Sequence, residues 1–161
     1  TGVQTCALPI WSLMTASDQI AKAAAAAMWA DDRATQSMGM TLDDVAEGRA
    51  VISMSVREDM VNGHNICHGG FIFALADSAF AFACNSRNLV TVAAGARIDF
   101  LRPAQLGDTL TACSTMVHQG KRSGIYDAVV KNQDGQIIAQ FRGNSATIGG
   151  TLTTISPEEE M

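Results

Sequence analysis
The sequence predicts an α+β protein in which a curved antiparallel sheet wraps around one long central helix. Three observations carry that expectation. The run from Phe71 to Cys84 is apolar on every side except at Asp77 and Ser78, and a helix that is apolar all round must be enclosed. The segments around it are strand-like, and the first two, Met38 to Leu42 and Arg49 to Val56, alternate apolar and polar residues, the period of half-buried strands. With 161 residues, 47% of them hydrophobic and 17% charged, the chain is long enough for one domain with a real core. A sheet closed around the helix encloses it economically.

The elements follow in chain order. Residues 1–13 are expected to be foreign to the domain, because TGVQTCALPI reads as an adapter oligonucleotide translated in frame, and Met14 is the expected start. The segment has neither the basic n-region nor the long h-region of a signal peptide. Setting it aside removes Cys6 and leaves Cys67, Cys84 and Cys113. Three widely spaced cysteines make no disulfide framework, which points to a reducing cytoplasm. Ser17 to Ala30 is alanine-rich and reads as a helix with Ser17 as N-cap. Met38 to Leu42 and Arg49 to Val56 read as a hairpin turned by DDVAEG. Asn62 to Gly70 is a Gly/Asn/His-rich loop, and the central helix then runs to about Ser86. Four strands are expected in meander: Thr91–Phe100, Asp108–Val117, Ile125–Lys131 and Gln136–Ile148, with Asp134-Gly135 turning the last pair. The single domain is expected over 14–150, followed by a frayed tail over 151–161.

The net charge of −5 argues against nucleic acid or an anionic membrane as partner. No apolar run reaches the roughly 20 residues that span a bilayer.

Candidate chemistry centres on the apolar helix. Gly69 and Gly70 supply amides from its first turn, which lack intrahelical partners and sit at the positive end of the helix dipole. Without side chains they admit a ligand oxygen closely, as a carbonyl turning negative in a transition state requires. Asp77 lies eight residues further along, roughly 12 Å up the axis. One carbonyl carbon cannot touch both groups within a chain, but two antiparallel helices about a two-fold axis would bring Asp77 of one copy beside Gly69 of the other. The alternative is a buried Asp77 satisfied by Ser78 or by backbone amides. His64, Cys67 and His68 lack an adjacent fourth metal ligand, and no metal or organic cofactor is expected. His68 and Asn62 read as polar groups that orient a substrate or brace the loop. GKRSG puts Lys121, Arg122 and Ser123 in a strand-to-strand turn without the P-loop pattern. Its cations are either a solvated tip or a phosphate contact that Arg102 and Arg142 could join.

Together NGHNIC, HGGFIFALAD, IDFLRPA, GDTL, HQGKRSGIYD and FRGNSATIGGT closely resemble the PaaI-type acyl-CoA thioesterases of phenylacetate degradation. The resemblance covers about Met38 to Thr151. It implies a hotdog fold, a dimer by sheet pairing and a homotetramer of two dimers. It further implies hydrolysis of an acyl-CoA such as an arylacetyl-CoA. Asp77 is then the catalytic carboxylate, Gly69 the carbonyl-polarising amide, and Asn62 and His68 the loop residues that position substrate or water. Gly70, Ser78, Lys121, Arg122, Ser123 and Arg102 complete the expected substrate-binding set. One departure is that Ala94, Gly95 and Ala96 stand where relatives often carry a hydroxyl residue. A dehydratase on this fold would want a His/Glu pair in other surroundings. A non-catalytic acyl-CoA binder would gain little from Asp77.

Overall fold
Thr15 rather than Ser17 caps the first helix, two residues earlier than expected: its side chain accepts from the Asp18 amide at 3.2 Å. The computed structural model describes residues 14–155, so the proposed foreign segment 1–13 and the end of the tail lie outside the described residues. Helix α1 spans Ala16–Asp31, and a short α2 spans Arg33–Ser37. The six strands are β1 (Thr41–Ala46), β2 (Arg49–Ser55), β3 (Thr91–Phe100), β4 (Thr109–Gln119), β5 (Ser123–Lys131) and β6 (Ile137–Thr147). Between β2 and β3 lie a 3-10 turn at Glu58–Met60 and the central helix α3 (Gly69–Cys84).

All strands pair antiparallel in one sheet of order β1-β2-β4-β5-β6-β3. The expected four-strand meander is therefore corrected. Only β4, β5 and β6 run in meander; β3 pairs with β6 at the far edge, and β2 lies beside β4. The reason is closure around α3. After β3 the chain passes the N-terminal end of the helix, where the Cys67 amide donates to Ala104 O and the Val56 amide to Asp108 O, both at 2.8 Å. It re-enters the sheet on the other side.

The first hairpin is also shifted. Asp43 and Asp44 belong to β1 rather than to the turn, which tightens at Gly48 with φ +72°. These two acids sit at a β-bulge on an edge strand, a position where exposed charge discourages edge-to-edge pairing. Asp44 is held by Arg49 at 2.6 Å and Lys22 at 3.6 Å. Part of the stretch expected to fray is held: Asn88 Oδ1 accepts from the amides of Leu152 and Thr153, and Asn88 Nδ2 donates to Thr153 O.

Helix α3 packs across the inner face of the sheet against all six strands, burying Ile72, Leu75, Ala76, Ala79, Phe80 and Phe82. The strands supply the other half of this core with Ile52, Met54, Leu110, Tyr126, Val130 and Phe141. Close approach is required at one point of β6. A Cβ on Gly143 would stand 2.8 Å from three ring atoms of Phe80, so only glycine lets that ring lie flat on the strand.

Candidate active site
The loop before α3 is braced by its own polar groups. Asn62 Oδ1 accepts from the amides of His64 (2.9 Å) and Ile66 (3.4 Å), an Asx-type arrangement that turns the chain through Asn65 at φ 61°. The His68 amide donates to Met60 O at 2.8 Å. These bonds leave Asn62 Nδ2 without a partner among the described residues.

His68 is the N-cap of α3, with Nδ1 accepting from the Gly70 amide at 2.9 Å. With Nδ1 accepting, a neutral ring carries its proton on Nε2. The expectation that Gly69 and Gly70 would both offer amides is thus narrowed. The Gly70 amide is taken by His68, whereas the Gly69 amide has no hydrogen-bond partner among the described residues. Gly69 opens onto a cleft of about 440 Å³ lined also by Asn62, Ile72, Phe100, Leu101 and Arg102. Three of the expected residues, Asn62, Gly69 and Arg102, therefore share one cleft.

Asp77 is half-buried, makes no hydrogen bond or ion pair among the described residues, and does not line that cleft. Burial pushes its carboxyl above the ordinary value of 3.8. It shares a helix face with Phe73 and Phe80, which pack against Phe141 of β6 at 5.5 and 5.8 Å. That face looks toward β6 and the open edge strand β3. The reading in which Ser78 satisfies Asp77 is not met. Ser78 Oγ lies 3.2 Å from Thr35 Oγ1, whose own proton goes to Asp32, so Ser78 is turned toward α2 and away from the cleft.

Lys121, Arg122 and Ser123 are exposed at the β4–β5 turn, and Arg122 O accepts from the Thr147 amide. That turn stands by Ser123, paired with Ala146, whereas the cleft stands by Phe100, paired with Ala139. The two places are about 24 Å apart along β6 at roughly 3.4 Å per residue. Arg102 and the basic turn therefore cannot meet within one chain. Arg142 is engaged as well. On the outer face of the sheet it donates to both Asp127 oxygens at 2.6 and 2.8 Å, which holds the Asp127 carboxyl below its ordinary value.

Neither buried thiol near α3 is a nucleophile at neutral pH. Burial pushes Cys67 up to about 11 and Cys84 up to about 12. His64, Cys67 and His68 do not converge, and no metal-holding cluster of His, Cys, Asp or Glu occurs among the described residues. A larger cavity, about 600 Å³ between α1 and β1, contains none of the expected site residues. Ala94 falls at the β-bulge where β3 shifts register against β6. Phe100, Ile72 and Leu101 are lining residues that the sequence reading did not single out. Strand alternation through Ala96, Ile98 and Phe100 could have flagged the last as inward-facing.

Known proteins resemble this chain in sequence and fold. Residues 64–139 fit the family model described as "Thioesterase superfamily". The chain is 50% identical over 127 residues to acyl-coenzyme A thioesterase PaaI of Escherichia coli K12, covering 79% of this chain and 91% of that protein. The structure of E. coli PaaI, from the phenylacetic acid degradation operon, superposes with a TM-score of 0.82 at 48% identity, covering 83% of this chain and 97% of the other. Human acyl-coenzyme A thioesterase 13 is 30% identical over 106 residues, 64% of this chain and 76% of the relative. A Streptococcus pneumoniae hypothetical thioesterase solved with coenzyme A aligns with a TM-score of 0.67 at 25% identity, over 70% and 90% of the two chains. With its antiparallel sheet packed on α3 and these relatives, the chain belongs to the thioesterase superfamily and has its hotdog fold.

Proposed function
We propose that this chain hydrolyses an aryl- or arylacetyl-CoA to the free acid and coenzyme A, in a site shared by two copies. The observation that carries the reading is that one helix holds both an amide at Gly69 and a carboxylate at Asp77 that have no hydrogen-bond partner among the described residues. The Gly69 amide receives the thioester oxygen as it becomes negative. Asp77 either attacks the carbonyl carbon itself or takes a proton from the water that does. A carbon–oxygen bond forms, the carbonyl electrons move onto oxygen, and collapse breaks the carbon–sulfur bond to release coenzyme A thiolate. In the nucleophilic route water then hydrolyses the resulting anhydride.

The sharing between copies is supported by strand β3. It is a ten-residue sheet edge carrying small exposed residues at Ala93, Ala94, Gly95 and Ala96, with Val92 44% exposed. Such an edge is a ready template for pairing with a second copy. Antiparallel pairing of two β3 strands interchanges the ends of the sheet. It brings the Lys121–Arg122 turn of one copy toward the Gly69 cleft of the other, and turns the Asp77 face inward. A basic turn beside the cleft suits the phosphates of coenzyme A. Two such dimers would form the tetramer. No helix among the described residues is long and apolar enough to cross a membrane. The free cysteines at 67, 84 and 113 suit a reducing cytoplasm.

The test is thiol release from a panel of aryl, arylacetyl and aliphatic acyl-CoAs, alongside sedimentation for the assembly state. Turnover of an arylacetyl-CoA by a dimer or tetramer is expected. Binding of acyl-CoA without thiol release would overturn the assignment.

A further inference from the structure
We infer that Phe100 is a specificity-determining residue whose ring forms the wall against which the acyl group lies, favouring flat aromatic acyl groups. The inference rests on the hydrolytic reading above and names the residue that would set its preference for aromatic acyl groups.

Phe100 ends the edge strand β3 and points inward with Ile98 and Ala96, opposite Ala139 of β6. An inward phenylalanine ordinarily buries its ring, as Phe80, Phe82 and Phe141 do here. Phe100 instead remains 52% exposed. Its ring atoms Cζ, Cε1 and Cε2 lie 2.9, 3.3 and 3.4 Å from where a Cβ on Gly69 would stand. The ring thus occupies the side-chain space of the very residue whose amide is unpartnered. Any carbonyl held by that amide has its substituent within reach of the ring. The rest of the wall is aliphatic, from Ile66, Ile72 and Leu101, while Asn62 and Arg102 supply the polar groups. An exposed aromatic face beside the reacting carbon gains most from an aromatic partner, because ring pairs add attraction beyond the area they bury.

The experiment uses the full chain and compares kcat/KM for phenylacetyl-CoA and hexanoyl-CoA in the parent, Phe100→Leu and Phe100→Tyr, with thermal unfolding of each. Phe100→Leu is expected to lower the phenylacetyl-to-hexanoyl ratio roughly tenfold, and Phe100→Tyr, which keeps the ring, to preserve it. If Phe100→Leu does not fold, Phe100→Met carries the same comparison. A ratio unchanged within about twofold, in a parent that hydrolyses both esters, overturns the assignment of Phe100 alone, whatever happens to the absolute rates. A parent that releases thiol from neither ester overturns the hydrolytic reading itself and the Phe100 assignment with it.

Discussion

The two ends of α3 are built to opposite standards. At the C-terminal end two buried polar side chains tie the helix to its surroundings. Asn85, buried, donates from Nδ2 to Ala81 O and Thr91 O and accepts at Oδ1 from the Thr91 amide, each at 2.9 Å. Beside it Ser86 Oγ donates to Ala83 O and accepts from the Gly48 amide, both at 2.7 Å. At the N-terminal end the His68 side chain accepts from the Gly70 amide and its carbonyl from the Phe71 amide, while the Gly69 amide faces a cleft with no partner among the described residues. Orphan groups at a helix terminus are normally paired. A donor that faces a cleft rather than a cap is available to a ligand in a way the buried side chains of the other end are not.

The largest effect that sharpens this contrast lies between the ends. Asp77→Asn removes the carboxylate and should lower kcat on the best acyl-CoA by a factor of about 10³ or more, measured by thiol release. A well-folded variant within about tenfold of the parent would return Asp77 to a structural role. Its pH dependence is a second reading of the same group. Burial raises the Asp77 carboxyl above 3.8, so the acid limb of parental activity should lie above that value and vanish in Asp77→Asn. For stability the sign is the reverse of a paired carboxylate. Folding favours the protonated form, so this contribution is present below the unfolded pKa and lost as pH rises through the folded one. Asp77→Asn should therefore gain most over the parent at neutral pH and least below about 3.8, followed by thermal unfolding across pH.

Next in size comes the closed end. Asn85→Ala strands buried groups at Ala81 and Thr91 and should destabilise by about 2–3 kcal/mol without changing kcat per folded molecule. Denaturant unfolding paired with active-site normalised rates measures both. A fall in kcat to match the loss of stability would erase the distinction between the two ends. His68→Ala acts at the open end and removes the cap on Gly70. It should cost about 1 kcal/mol of stability and, unlike Asn85→Ala, also lower kcat, because the first turn holding the Gly69 amide loosens. The smallest effect belongs to the exposed turn. Lys121→Ala with Arg122→Ala should leave unfolding unchanged and raise KM between about twofold and tenfold, the increase shrinking at high salt. A KM indifferent to both residues and to ionic strength would remove the turn from the coenzyme A site.

Much of this could be read without coordinates, for a local reason. An all-apolar helix interrupted by one carboxylate, and a Gly-Gly pair at its start, are signals carried by neighbouring residues. So are the Asp134-Gly135 turn and the strand-like character of the last three strands. The first hairpin failed because Asp43 and Asp44 have turn-like chemistry but sit on a solvent-facing edge, where a strand accepts them. Ser78 was weighed as a partner for Asp77 because the two are adjacent in sequence. One step along a helix turns a side chain by about 100°, and Ser78 meets Thr35 instead.

By itself the sequence determined the first and central helices, five of the six strands, and that the central helix must be enclosed although it carries Asp77, because patterning reports how each residue meets water. Only the tertiary structure decided that β3 lies beside β6 at the open edge, that Gly69 rather than Gly70 keeps a free amide, and that Phe100 covers Gly69. It also decided that the basic turn and the cleft stand at opposite ends of one chain. Those outcomes depend on closing a six-stranded sheet around α3, which joins residues far apart in the chain, and no local pattern specifies which distant strand becomes a neighbour.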